Sequence, residues 1–252
     1  MKKLYLLIPI LFLIYLGCED EKSSLVPEDE KSCVSGEVEL WGDCYSIENT
    51  DSLNLASSNQ VKGLIPPEIG NLTNLTYLTL LGNGLTGPIP PEIGKLTNLT
   101  FLSLATNQLT GPIPQEIGNL TKLIKLNLGQ NQLTGLIPQE IGNLVNMTHL
   151  QLWYNQFTGK IPPEIWNLKN LEGLGLANNQ FSGEIPQEIG NLINLTGLNL
   201  SSNQLTGKIP DSLCDIYSNL SFFFSVANNK LCPPYPDCLS GNVGEQDTSG
   251  CN

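Results

Sequence analysis

The sequence predicts an α/β solenoid: a right-handed superhelix of about eight 24-residue coils with a parallel β-sheet on its concave face. Three observations carry this. Asn83, Asn107, Asn131, Asn155, Asn179 and Asn203 are each 24 residues apart. Leucines sit five and three residues before each of these, as Leu78 and Leu80 do before Asn83. They alternate with polar residues, the pattern of a short strand with one buried face. Finally, 24 Gly and 17 Pro in 252 residues, with only 14% charged, do not suit a helical bundle, while 40% hydrophobic content is enough to build a core. A fixed internal period is the signature of stacked repeats.

The elements follow in chain order. In residues 1–17, Lys2 and Lys3 precede an uncharged apolar run too short for a good membrane span, which reads as a secretory signal. The run ends at Gly17-Cys18, and a small residue before Cys there resembles a bacterial lipobox, although Tyr15 stands where Leu is usual. That resemblance implies that Cys18 is lipidated. It implies export across the inner membrane and anchoring by an N-terminal lipid, at the outer membrane or cell surface of a bacterium. Of seven Cys, the other six are an even number suited to disulfides in an oxidising compartment. Residues 18–32 are polar and acidic, and read as a tether. Residues 33–52 read as an N-terminal cap closed by Cys33–Cys44, with Trp41 as an apolar plug. Residues 53–231 hold the repeats, and 232–252 form a Cys-containing C-terminal cap.

Each part of a coil has a physical task. The Asn follows the strand where the chain bends, and its amide can bond backbone groups left unpaired there. Repeated down the stack, this makes a ladder of Asn59, Asn83, Asn107, Asn131, Asn155, Asn179, Asn203 and Asn229. Asn59 keeps step although its strand carries one extra residue, and Asn229 follows a two-residue insertion. The Gly four residues after each Asn, such as Gly159, permits a bend forbidden to other residues. The Pro after it, such as Pro162, limits continuation into a strand. The stretch PEIGNLTNL offers about one helical turn. No coil can bury its leucines alone, so stacking closes a continuous core.

The motif L-x-x-L-x-L-x-x-N-x-L-T-G-x-I-P resembles the leucine-rich repeat, and its L-T-G-x-I-P half resembles the plant-specific subclass. That subclass forms the ectodomains of plant receptor-like kinases and receptor-like proteins, and the polygalacturonase-inhibiting proteins. The resemblance implies a binding scaffold. In the C-terminal cap, LCPPYPDC resembles the Cys-closed cap of plant repeats, which implies Cys232–Cys238 and leaves Cys214–Cys251. Cys214–Cys238 is the rival pairing, since both residues fall on the helical side of neighbouring coils.

Side chains six, four, two and one residues before each Asn face the concave surface. Tyr77, Phe101, Lys125 and His149 make one row, which falls to Gly173 and Gly197. Gln151, Trp153 and Tyr154 add bulk just before that drop. The expectation is an aromatic ridge beside a glycine shelf, suited to a protein, peptide or glycan. A convex column of Glu, from Glu68 to Glu188, reads as a copied template, as do the Asn-x-Thr/Ser matches such as Asn98 and Asn146.

Several classes are excluded. A net charge of −12 with no Arg argues against nucleic acid. A single His, His149, rules out a His-rich metal site, and no phosphate-cradling loop or other cofactor signature is present. No acidic residue neighbours His149 among the concave positions, and no Ser or Cys lies in an activating motif, so the chain reads as non-catalytic. The reading is a surface-anchored binding protein. The alternatives are an adhesive spacer, or an inhibitor of a polysaccharide-degrading enzyme.

Overall fold

A computed structural model describes residues 33–58 and 60–251. The leader 1–17, the tether 18–32, Cys18 and Asn59 lie outside the described residues. Two eight-stranded parallel sheets run the length of the stack. The concave sheet begins at Ser52–Asn54 and ends at Phe223–Ser225, with one three-residue strand per coil. Its register follows the repeat: Tyr77 pairs Phe101, then Lys125, His149, Gly173 and Gly197 follow at 24-residue steps. The two irregular steps are at the ends, Ser52 with Tyr77 and Gly197 with Phe223.

The second sheet was not foreseen. It is built from the Gln-Leu/Phe-Thr/Ser-Gly stretches, for example Gln132–Gly135, Gln156–Lys160 and Gln180–Glu184. In each the apolar residue is buried and the flanking Gln exposed. Four alternating residues are too few for periodicity to tell a strand from a turn. Gly159 lies in this sheet at φ 76°, a backbone state that only glycine adopts readily. Short 3-10 turns such as Pro67–Asn71 and Gln115–Asn119 form the convex side. Each carries its Glu in the first turn, where peptide dipoles favour an acid.

The Asn side chains form rungs. Asn131 Nδ2 donates to Leu104 O at 3.0 Å and Leu128 O at 3.1 Å, and its Oδ1 accepts from Leu109 N at 3.0 Å. Asn107, Asn155, Asn179, Asn203 and Asn229 repeat this between their own coils. The two ends differ. Asn83 Oδ1 has no partner among the described residues, because Val61 N turns to Ser58 O in the irregular first coil. At the other end Gln246 supplies one more rung: its Oε1 accepts from Leu231 N at 3.2 Å and its Nε2 donates to Val226 O at 3.0 Å.

A second ladder runs along the start of the concave strands. Asn74, Asn98, Asn146, Asn170, Asn194 and Asn219 each donate from Nδ2 to a carbonyl of the preceding coil, at 2.8–3.0 Å. Lys122 occupies the one substituted rung, and its Nζ reaches Asn98 Oδ1 at 2.8 Å. The spacing of Asn74, Asn98 and Asn146, one and then two 24-residue periods, was the available signal, and their Asn-x-Thr matches concealed it.

Neighbouring convex turns pack closely. A Cβ on Gly70, Gly94 or Gly118 would lie 2.5–2.6 Å from an atom of the next coil. Trp166 takes this position in the fifth turn and is 1% exposed. A ring fits only where adjoining coils stand further apart. The next turn enters through Pro186 at ψ 165°, against 133–141° at the five other 3-10 entries within the repeats.

Both ends of the core are covered. Strands Glu37–Leu40 and Asp43–Ser46 form an antiparallel hairpin closed by Cys33–Cys44, and it buries Leu40. Trp41 packs on the core and donates from Nε1 to Leu64 O at 3.2 Å. At the C-terminus an α-helix, Leu213–Tyr217, replaces the 3-10 turn. Here the expected pairings Cys232–Cys238 and Cys214–Cys251 are corrected: Cys214 joins Cys238, and Cys232 joins Cys251. Cys232 ends a strand, whereas Cys238 lies in the 3-10 turn Asp237–Leu239, packed against the helix that holds Cys214. The intervening PPYP carries the chain from the strand side to the helical side, so neighbours in sequence face different partners.

Candidate functional site

The register places the row Tyr77, Phe101, Lys125 and His149 side by side on adjacent strands. Tyr77 and Phe101 stack, with centroids 4.6 Å apart and planes 10° from parallel. Lys125 is exposed. Not every concave position is open, since Thr79, Ser103, Ala105 and Ala177 are buried. Trp153 and Tyr154 meet edge to face at 5.8 Å, and Tyr154 is 56% exposed.

The glycine shelf is the floor of a concave pocket of about 570 Å³. His149, Gln151, Trp153 and Tyr154 stand on one side of it. Phe222 and Phe223 stand on the other, 88% and 49% exposed. This second wall was missed. The signal was the run Phe222-Phe223-Phe224, but the insertion before Asn229 breaks the 24-residue count, so the row was not carried forward to Phe223.

The floor must be glycine for these walls to lean inward. A Cβ on Gly173 would stand 2.9 Å from His149 Cδ2, and one on Gly175 would strike the Gln151 side chain. Trp153 lies across the neighbouring strand on its other side, where a Cβ on Gly129 would be 2.7 Å from its Cε2. The variable positions are thus coupled: bulk in one coil is matched by glycine in an adjoining one.

His149 is half-buried, and its Nδ1 is 2.8 Å from Thr148 Oγ1. Burial first, and then the Lys125 ammonium, hold its pKa below the ordinary histidine value. Glu172 opposes them, being near enough to raise it. The absence of an acidic neighbour read from the strand positions is therefore corrected: Glu172 immediately precedes strand Gly173–Gly175 and lines the same pocket as His149. With its pKa lowered, the imidazole is mainly neutral near pH 7 and offers one donor and one acceptor.

A second, uncharged groove of about 570 Å³ opens beside the Asn ladder and shares Tyr154 and Asn178 with the pocket. Among the described residues, Cys33, Glu37 and Cys44 are close enough together to hold a metal, but the two sulfurs are joined in the cap disulfide.

Short parallel strands with variable side chains, an Asn rung in each bend from Asn83 to Asn229 and capped ends define a repeat protein of the leucine-rich type. The chain belongs to the leucine-rich repeat family: the family described as "Leucine-rich repeat region" matches residues 46–177, more than half of the chain, and "Leucine Rich Repeat" matches 170–192 and 194–216. No curated protein matches significantly. Among solved structures, the chain is similar to the ectodomain of the plant membrane receptor kinase GASSHO1/SCHENGEN3 from Arabidopsis thaliana, solved in complex with CASPARIAN STRIP INTEGRITY FACTOR 2. The two share 41% identity at a TM-score of 0.71, over 75% of this chain and 23% of that one. It is similar to the plant peptide hormone receptor RGFR1 in complex with RGF2, at 38% identity and TM-score 0.71, over 75% of this chain and 31% of that one. It is also similar to a plant ice-binding protein, at 26% identity and TM-score 0.53, over 75% of this chain and 78% of that one. The chain thus spans about a quarter to a third of the two receptor ectodomains.

Proposed function

We propose that the protein is a non-catalytic, extracellular binding protein that holds a peptide, or an extended segment of a protein, in the concave pocket. The observation that carries this is the pair of aromatic walls facing each other over a glycine floor. Large rigid rings beside small residues accept an inserted side chain at little entropic cost. Two similar structures were solved in complex, one with CASPARIAN STRIP INTEGRITY FACTOR 2 and the other, a plant peptide hormone receptor, with RGF2, and three disulfides suit an oxidising compartment. Lipidation of Cys18, with residues 18–32 as tether, would hold the pocket at a bacterial surface.

The test uses peptides selected by the full chain from a random display library. Trp153→Ala with Tyr154→Ala is expected to weaken them at least about thirtyfold, the effect of losing an interface anchor worth roughly 2 kcal/mol. Glu116→Ala, on the convex side, is expected to change nothing. Equal binding by the double variant, with its circular dichroism unchanged, would refute the concave site.

A second reading rests on the other sheet. Its outer face repeats Gln132, Gln156, Gln180 and Gln204 beside Thr134, Thr158, Ser182 and Thr206, none of them buried. Such a periodic array of amides and hydroxyls can order surface water, and the plant ice-binding protein is matched over most of its length. If that surface binds ice, the full chain inhibits ice recrystallisation and Thr158→Tyr abolishes the effect. An inactive parent protein ends this reading.

A further inference from the structure

We propose that the pocket takes a basic side chain of the bound peptide at its Glu172 end, a specificity that rests on the peptide-binding reading above. Glu172, Thr196 and Phe222 are adjacent across three coils: Thr196 N donates to Glu172 O at 2.8 Å, and Phe222 N to Thr196 O at 3.0 Å. Glu172 and Phe222 therefore lie two strand spacings apart, about 9–10 Å between backbones. That gap admits one ligand side chain over Thr196 and Gly197. Phe222 leans into it, since a Cβ on Gly197 would stand 3.6 Å from its Cδ1.

The charge arrangement selects the ligand. Among the described residues, Glu172 is the one carboxylate lining the pocket, and no Lys lines it. Its neighbour His149 has a lowered pKa and adds little positive charge at neutral pH. Lys125 flanks His149 one strand further out, away from the Phe wall. The site is thus net negative, and its walls present π faces. An ammonium or guanidinium is attracted by both the carboxylate and the rings. A neutral side chain would desolvate Glu172 without replacing its hydration, and an acidic one would be repelled. The formal charge of −12 on the whole chain favours approach of a basic ligand over an acidic one.

The experiment measures binding of the full chain, kept in detergent at low salt, to pools of capped pentapeptides. One position is fixed as lysine, its neutral isostere norleucine, or glutamate, and the others are mixed. The lysine pool is expected to bind about tenfold tighter than the norleucine pool, in the range of a carboxylate-assisted cation–π contact. Glu172→Gln is expected to remove that preference. Phe222→Leu, which keeps the apolar bulk, is expected to reduce it while leaving norleucine binding unchanged. Equal binding of the lysine and norleucine pools, or a preference that survives Glu172→Gln, overturns the proposal but leaves the concave site standing. If the Trp153, Tyr154 double variant binds every pool as the parent does, the concave reading itself fails. If free choline binds as tightly as the lysine pool, the site is one for a small quaternary ammonium and the peptide assignment is overturned.

Discussion

Replacing Asn131 by leucine is expected to lower the unfolding free energy by about 1–3 kcal/mol, read as a fall in the urea midpoint. The leucine fills similar space but leaves unpaired a polar group that the amide serves. Leu109 N loses its acceptor, while Leu104 O and Leu128 O each lose one of two donors and keep Asn107 Nδ2 and Asn155 Nδ2 respectively. A buried group left unpaired costs roughly 1–3 kcal/mol, and Leu109 N sets the total. The outer ladder supplies the control. Asn98 makes one exposed donor bond, to Thr73 O at 3.0 Å, so Asn98→Leu should cost well under about 1 kcal/mol, as surface changes usually do. Because each coil touches only its neighbours, the Asn131 loss should appear as early opening around that coil. Hydrogen exchange concentrated at Leu109 and Leu133 would show it. Equal effects of the two substitutions would mean that burial of the rung does not matter.

Trp166→Ala is expected to be at least as damaging, by about 3–5 kcal/mol, the range for truncating a buried tryptophan. The ring is buried within the continuous core. Its removal leaves either a cavity or a rearrangement of the convex turns around Pro186 toward the backbone angles of the other turns. Thermal unfolding measures the loss. Near-neutral stability of the alanine variant would show that the coils close without penalty and that the tryptophan is dispensable.

Trp166 also marks what could be seen from sequence. The period, the inward leucines and the Asn rungs are legible because each repeats, and repetition separates signal from chance. Trp166, Gln246, Phe222 and Phe223 are single events against that background, and a period carries no information about its exceptions. Gln246 is hidden twice over, since it imitates an Asn rung with a longer side chain beyond the last coil. The aromatic wall at Trp153 and Tyr154 was legible because its neighbours in the row were counted in step. The opposite wall was not, because two inserted residues shifted the count. The Cys214–Cys238 and Cys232–Cys251 pairings needed the path of PPYP, which sequence alone does not supply.

Uniform rungs make the chain divisible. If residues 84–107 were cut out, Asn83 would meet Gln108, and Leu109 N would stand where Leu85 N had stood, so every bend would again find an amide of the right kind one coil away. Unequal exchange within such a gene therefore yields foldable products at whole-period steps, longer or shorter by one strand spacing of about 4.8 Å. The pocket, drawn from residues 149–223, would pass through such an event unchanged. Reach from the N-terminal end and the chemistry of recognition are in this way separately heritable: one varies by duplication and loss, the other only by point substitution.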